Sequence, residues 1–121
     1  MEGRVMPQFS PDQCTFNDIP GMAMWDDNHY REHQQFVQVL AGASPPILLA
    51  NYDLLRMLTA QEGRSAVIDN HNTVHRLLQQ ICGFTGTDYS QYDIAQEGDF
   101  YSFQGYHSTD HAQIRSFLGI V

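Results

Sequence analysis

All six histidines of this chain occur in pairs with three residues between the partners. The pairs are His29 with His33, His71 with His75, and His107 with His111. On an α-helix, residues four apart project from the same side, so both imidazoles of a pair can approach one point in space. Two nitrogen ligands at this spacing are typical of helical metal sites. The sequence therefore predicts three helices that each offer two ligands.

Each pair lies within the apolar stripe of its predicted helix, not on a solvated face. The flanking apolar residues are Trp25 and Phe36 for the first pair, Val67 and Leu78 for the second, and Phe103 and Ile114 for the third. If the stripes meet in a core, the histidines meet there too. Burying imidazoles without partners costs about 1–3 kcal/mol for each unsatisfied group. We therefore expect a partner for them in the core.

The three pairs also stand at the same distance from their helix ends. Six residues after each pair comes a helix-ending motif: Cys82-Gly83-Phe84, Leu118-Gly119-Ile120 and, more loosely, Leu40-Ala41-Gly42. Equal depth is what a shared site requires, provided that the helix ends lie at comparable heights.

The apolar pattern as a whole predicts an all-α fold, a small four-helix bundle with an extended N-terminal arm. Residues 1–22 carry three prolines and are expected to form the arm, which either clasps a neighbouring copy or packs on its own domain. Residues 23–121 are expected to form one helical domain. Its predicted helices run from Trp25 to Leu40, from Ile47 to Gln61, from Asp69 or Ser65 to Cys82, and from Phe100 to Leu118.

Charge and composition exclude several classes of function. The chain has 14 acidic residues, six arginines and no lysine, which gives a formal net charge of −8. Such a surface repels phosphate backbones and anionic headgroups, so we expect neither a nucleic-acid nor a membrane partner. Two cysteines, Cys14 and Cys82, are too few for a disulfide scaffold, which favours a reducing compartment.

Two carboxylates accompany the histidine pairs. Glu32 directly precedes His33, and Asp110 directly precedes His111. Either is a further ligand or an acceptor that fixes an imidazole tautomer. Imidazole with few carboxylates suits zinc or iron. The predicted metal site therefore comprises His29, His33, His71, His75, His107, His111, Glu32 and Asp110.

The histidines also allow other interpretations, among them a purely structural role or a wrong placement of the predicted helices. The histidines can form a buried polar network with Tyr30, Tyr52, Tyr106 and the carboxylates, which would respond to pH because histidine titrates near 6.5. Residues 29–33 also match the His-x-x-Glu-His pattern of inverted zinc peptidases, but that interpretation leaves four histidines unexplained. With no phosphate loop or nucleophile motif in the chain, we do not expect an enzyme.

Residues 65–120 are similar to small structural proteins of tailed bacteriophages. The matching residues are His71, His75, Cys82-Gly83-Phe84, Gly86, Asp88, Asp93, His107, Asp110, His111 and Leu118-Gly119-Ile120. Where those proteins carry tryptophan in the last helix, this chain has Phe100, Phe103 and Tyr106. The resemblance implies a virion component of the tail, neck or capsid surface. Such a protein is made in the host cytoplasm and assembles in many copies with other virion proteins.

In general layout the chain also resembles hemerythrin-type four-helix proteins, whose histidines and carboxylates hold two irons. This resemblance implies a di-iron binding or redox protein as the alternative function. The chain departs from it by having no histidine on the predicted second helix. An open coordination position would favour this alternative, whereas a saturated shell of histidines would favour a structural role.

Overall fold

A computed structural model describes residues 14–47, 58–59 and 68–120. These residues form α1 (Ile19–Ala41), α2 (Ile68–Cys82), a short 3-10 helix (Tyr89–Gln91) and α3 (Glu97–Leu118). The all-α prediction is therefore confirmed for the described residues, but their three α-helices do not confirm a four-helix bundle. None of these helices is long and apolar enough to cross a membrane. The helix predicted over residues 47–61 falls mostly outside the described residues. Where it is described, Ile47 lies beyond the end of α1, and a turn occupies residues 58 and 59.

The first helix begins earlier than the sequence predicts. It starts at Ile19, inside the segment expected to be an extended arm, and residues 1–13 of that arm lie outside the described part of the chain. Asp18 caps the helix by accepting a hydrogen bond from the backbone of Gly21 at 3.4 Å. Pro20 stands in the first turn, where its missing N–H costs no helical hydrogen bond. Proline therefore marks a helix start here and not an arm.

All three α-helices run in the same direction. Two facing pairs of histidine rings between α1 and α3 are each 78 residues apart along the chain, and two between α2 and α3 are each 36 apart, beside one cross-contact, His75–His107, at 32. The facing pairs are His29–His107, His33–His111, His71–His107 and His75–His111. Antiparallel neighbours would change their separation with every turn. Parallel helices have their C-terminal ends at the same end of the bundle. This is the condition under which histidine pairs at equal distances from their helix ends can share one site.

Two apolar cores lie above and below the histidines. The N-terminal core consists of Met22, Trp25, Leu58, Tyr89, Ile94, Phe100 and Phe103. The C-terminal core consists of Phe36, Val39, Leu40, Val74, Leu78, Cys82, Ile114 and Ile120. Along α1 and α3 the histidines separate the residues of one core from those of the other. Leu58, Tyr89 and Ile94 also belong to the N-terminal core, although they follow the C-terminal ends of α1 and α2 in the chain.

One buried carboxylate binds residues 58 and 59. Asp26 is 4% exposed and accepts hydrogen bonds from the backbone of Leu58 at 3.0 Å and of Thr59 at 3.1 Å. It also accepts a bond from the Thr59 hydroxyl at 2.7 Å. The Asp26 side chain thus holds residues 58–59 beside α1, three residues before the first histidine of that helix.

Candidate metal centre

The six imidazoles occupy the space between the two cores. None of them exposes more than 2% of its surface, and each of the three helices supplies two, one turn apart. Five of them, from His29, His33, His75, His107 and His111, each offer one nitrogen within 4.8 Å of the others and can hold a metal ion. The sixth, His71, places its Nε2 only 2.9 Å from that of His107. The predicted stripes therefore meet, and they bring all six histidines together.

The six rings are arranged as the corners of an octahedron. Of the fifteen possible pairs, twelve have ring centres between 4.3 and 5.4 Å apart. The pair His29–His75 is 6.4 Å apart with ring planes only 1° from parallel. Among the described side chains, the pairs His33–His107 and His71–His111 make no ring contact. Each ring thus has four near neighbours and one opposite, which is octahedral connectivity.

The opposite pairs connect the helices in a regular way. His29 and His75 join α1 to α2, His33 and His107 join α1 to α3, and His71 and His111 join α2 to α3. Two histidines of the same helix are always neighbours and never opposite, because a separation of four residues places them one turn apart. Each axis of the octahedron therefore ties a different pair of helices.

The ring nitrogens converge more closely than the ring centres do. Five Nε2–Nε2 distances lie between 2.9 and 3.2 Å. In a regular octahedron, dividing this edge by √2 gives a distance of about 2.1 to 2.3 Å from the centre to each nitrogen. Metal–imidazole bonds are about 2.0–2.1 Å for four-coordinate zinc, so the central space has the size of a metal ion.

The hydrogens on two rings are fixed by carboxylates. His75 Nδ1 lies 2.7 Å from Asp110 Oδ2, and His111 Nδ1 lies 2.8 Å from Glu32 Oε1. An ionised carboxylate only accepts, so each Nδ1 carries a hydrogen and donates it. The Nε2 atoms of His75 and His111 are 3.2 Å apart. Two nitrogens at this distance repel each other unless a proton or a metal ion lies between them.

For five of the rings, protonation is a poor source of that cation. Burial and the charge of neighbouring rings hold the pKa of His29, His33, His71 and His107 well below the ordinary value of 6.5. Burial lowers the pKa of His75 to about 4, although Asp110 opposes the shift. These five rings are neutral at pH 7. Each neutral imidazole carries one N–H group. These are too few to give every close nitrogen pair a hydrogen bond, since the single Nε2 of His107 lies close to three other Nε2 atoms.

The tyrosines expected in a polar network are mostly elsewhere. Tyr106 is 54% exposed, Tyr30 packs against the C-terminal core, and Tyr52 lies outside the described residues. The tyrosine that does reach the site is Tyr89, whose hydroxyl donates to Asp110 Oδ2 at 2.9 Å. Among the described residues, the tyrosines named in the predicted network therefore do not join the histidines.

The two predicted carboxylates bind ligand rings at Nδ1, on the side away from the centre. Glu32 is fully buried and also accepts a bond from Arg115 Nη1 at 2.9 Å. Burial raises the pKa of Glu32, but the hydrogen bonds and charges of His111 and Arg115 outweigh burial and hold it below its ordinary value. Glu32 therefore orients His111 as an acceptor, one of the two roles that the sequence left open.

Asp110 holds His75 in the same way but without a cationic neighbour of its own. It accepts bonds from Tyr89 and from Gln79 Nε2, the latter at 3.1 Å. Burial raises the pKa of Asp110, but the hydrogen bonds from His75, Gln79 and Tyr89 outweigh burial and lower it. The carboxylate is thus ionised among neutral groups. With Arg115 beside Glu32, the region keeps one net negative charge, which a bound cation offsets.

Sequence reasoning missed the residues that support the carboxylates. Gln79 follows His75 by four residues, and Arg115 follows His111 by four, so both extend the histidine stripes by one turn. Arg115 is 6% exposed and also donates to Gln35 Oε1 at 3.0 Å. The i, i+4, i+8 spacing was the signal that would have found both. Tyr89 had no such signal, because it reaches the site from the connector after α2.

We expect Gly86→Ala to disturb the support of Asp110. A Cβ at position 86 would clash with Gln79 Nε2 and would lie 2.9 Å from Asp110 Oδ1. Moving Gln79 breaks its hydrogen bond to a buried carboxylate, so the free energy of unfolding should fall by about 1–3 kcal/mol in urea titrations. Gly98→Ala is the control, because no atom lies within 4 Å of its Cβ in α3. Equal stability of the two variants would contradict this account.

We also expect steep loss of stability in acid. The pKa of five buried histidines is lower in the folded protein than in the unfolded chain, so unfolding takes up protons once the pH falls below about 6.5. The contribution is complete above pH 7 and is lost as the pH falls. Each proton that the unfolded chain binds and the folded protein does not makes the free energy of unfolding fall more steeply with falling pH. A urea midpoint that stays constant between pH 7.5 and 5 would refute the prediction.

Comparison with known proteins supplies no family for this arrangement. No protein-family model, no curated protein and no solved structure matches the chain. The resemblances to phage structural proteins and to hemerythrin-type bundles therefore stay predictions. What the structure itself shows, for the described residues, is three parallel helices that bring six buried histidines into contact, five of which each offer a nitrogen within 4.8 Å of the others.

Proposed function

We propose that this protein is a metal-stabilised structural protein, in which one ion bound by the six histidines holds three helices together. The observation that carries this proposal is the octahedral arrangement of the six rings around one centre of metal-ion size. Because such a centre exists only in the folded chain, the binding energy of the ion adds to the free energy of unfolding.

The number of ligands supports a structural role over catalysis. Catalytic metal sites keep a position open for water or substrate, whereas structural sites are closed by protein ligands. Here six imidazoles surround the centre and all are buried, so a six-coordinate ion has no position left for a substrate. This supports the expectation that the protein is not an enzyme.

The hemerythrin-like alternative receives less support from the same geometry. A di-iron centre needs two metal positions, and carboxylates commonly bind such metals directly. In this chain Glu32 and Asp110 bind the Nδ1 atoms of His111 and His75 on the side away from the centre. The twelve short ring contacts surround one point. We therefore favour one ion with a saturated shell over two ions with an open position.

Metal analysis and thermal melts test the proposal together. We expect one transition-metal ion per chain, and a chelator should lower the melting temperature by about 15 °C or more. The physical reason is that an ion at a thousand times its dissociation constant adds about 4 kcal/mol, and a domain of this size shifts by several degrees per kcal/mol. Protein without metal and with an unchanged melting temperature would refute the centre.

A pair of variants separates the metal from general effects of substitution. The double change His71→Ala and His75→Ala removes both ligands of α2, so it should lower the melting temperature and abolish the response to chelator. The control is Gln80→Ala with Gln113→Ala, two exposed positions on α2 and α3. The control should keep both the metal and the chelator response.

For the biological setting we propose a virion component that contacts other virion proteins. The support is the resemblance of residues 65–120, together with apolar side chains on the surface of the described residues. Ile19, Met24, Tyr106 and Phe117 are each more than half exposed, and such groups commonly mark contacts with other proteins. Mass spectrometry of purified particles should detect the chain. A chain that stays monomeric and is absent from particles would contradict the assignment.

A further inference from the structure

We infer that the centre selects a divalent ion that prefers six nitrogen ligands, namely Fe²⁺, Co²⁺ or Ni²⁺, and discriminates against Zn²⁺. This inference rests on the proposed metal centre and specifies the ion that it takes. The observations behind it are the lengths of the nitrogen–nitrogen edges, the burial of every ligand and the charge of the surrounding groups.

The edges fit an octahedron better than a tetrahedron. Four nitrogens at 2.0–2.1 Å from a tetrahedral zinc ion are about 3.3–3.4 Å apart. The five close Nε2–Nε2 distances, of 2.9–3.2 Å, are shorter. They correspond to six bonds of about 2.1–2.3 Å. Zinc usually has four ligands. To bind here in that way, it would need four of the nitrogens to move apart, and the other two imidazoles would stay unbound.

Release of two imidazoles is difficult in this core. Each ring is almost fully buried and is in contact with four other histidine rings, and several are also held from outside the octahedron. Trp25 stacks on His29 at 4.6 Å, Phe103 stacks on His107 at 4.9 Å, and Phe36 contacts His33 and His111. A released ring would stay buried with an unpaired nitrogen. The protein therefore opposes four-coordination by packing.

The donor atoms of the ligands further restrict which metal ions suit the centre. Magnesium, calcium and manganese prefer oxygen ligands, and none of the six converging atoms is oxygen. Copper(II) favours a tetragonal site with unequal bonds, whereas these edges differ by only 0.3 Å. Imidazole suits iron and nickel, and cobalt lies between them in the order of affinities. Six-coordinate ions of this group match both the donor atoms and the geometry.

The charge of the surrounding groups favours the divalent state. Glu32 and Asp110 are the anions bonded to ligand rings, and Arg115 is the cation bonded to Glu32. With neutral imidazoles these groups carry −1 in total. A divalent ion brings the total to +1, whereas a trivalent ion would leave +2 in a site without water access through its ligands. Because buried net charge is costly, the lower value is preferred.

The test is a competition between two ions during folding. Unfolded full-length protein is refolded with equal excess concentrations of Ni²⁺ and Zn²⁺, and native mass spectrometry measures the bound ratio. We expect at least a tenfold preference for Ni²⁺. The Co²⁺ form should show the weak absorption of six-coordinate cobalt and not the intense bands of tetrahedral cobalt. His71→Ala removes one corner and should reduce the preference, whereas Gln80→Ala should leave it unchanged.

The outcomes distinguish this inference from the proposed function. Equal or preferential uptake of Zn²⁺ with a tetrahedral cobalt spectrum would overturn the selectivity and leave the metal centre in place. A folded protein that binds none of Ni²⁺, Zn²⁺ and Co²⁺ would overturn the metal centre itself. If His71→Ala does not fold, the wild-type competition and the cobalt spectrum decide the question alone.

Discussion

The interaction on which the rest of the structure depends is the close approach of imidazole nitrogens to one another in a buried core. Neutral rings whose lone pairs point at one another repel, and the Nε2 atoms of His75 and His111 are 3.2 Å apart. A cation at the common centre reverses the sign of all these contacts at once. A bound cation would therefore stabilise this arrangement of three helices.

The carboxylates act on this centre through the rings and not by contact with it. By accepting from Nδ1, Glu32 and Asp110 select the tautomer whose Nε2 faces inward, and their charge increases the basicity of that nitrogen. Arg115, Gln79 and Tyr89 in turn hold the carboxylates. The site is thus built in layers, and the outer layer reaches as far as the connector after α2.

Much of the site followed from the sequence because it is encoded locally. The spacing of each histidine pair fixes two ligands on one helical face, and the glycines after α2 and α3 fix the helix ends, with φ of 78° at Gly83 and 70° at Gly119. What could not be predicted depends on contacts distant in sequence. The parallel direction of the helices, the role of Asp26 and the approach of Tyr89 are set by how the segments between the helices pack. Pro20 misled the prediction because proline is common both in arms and in first helical turns.

The shared direction of the three helices also gives the molecule an electrical axis. Each helix carries about half a positive charge at its N-terminal end and half a negative charge at its C-terminal end. In an up-and-down bundle these partial charges alternate and largely cancel. Here they add, so the end near Trp25 and Phe100 differs in potential from the end near Gly83 and Gly119. Copies stacked head to tail would bring unlike ends together, whereas copies facing each other would bring like ends together.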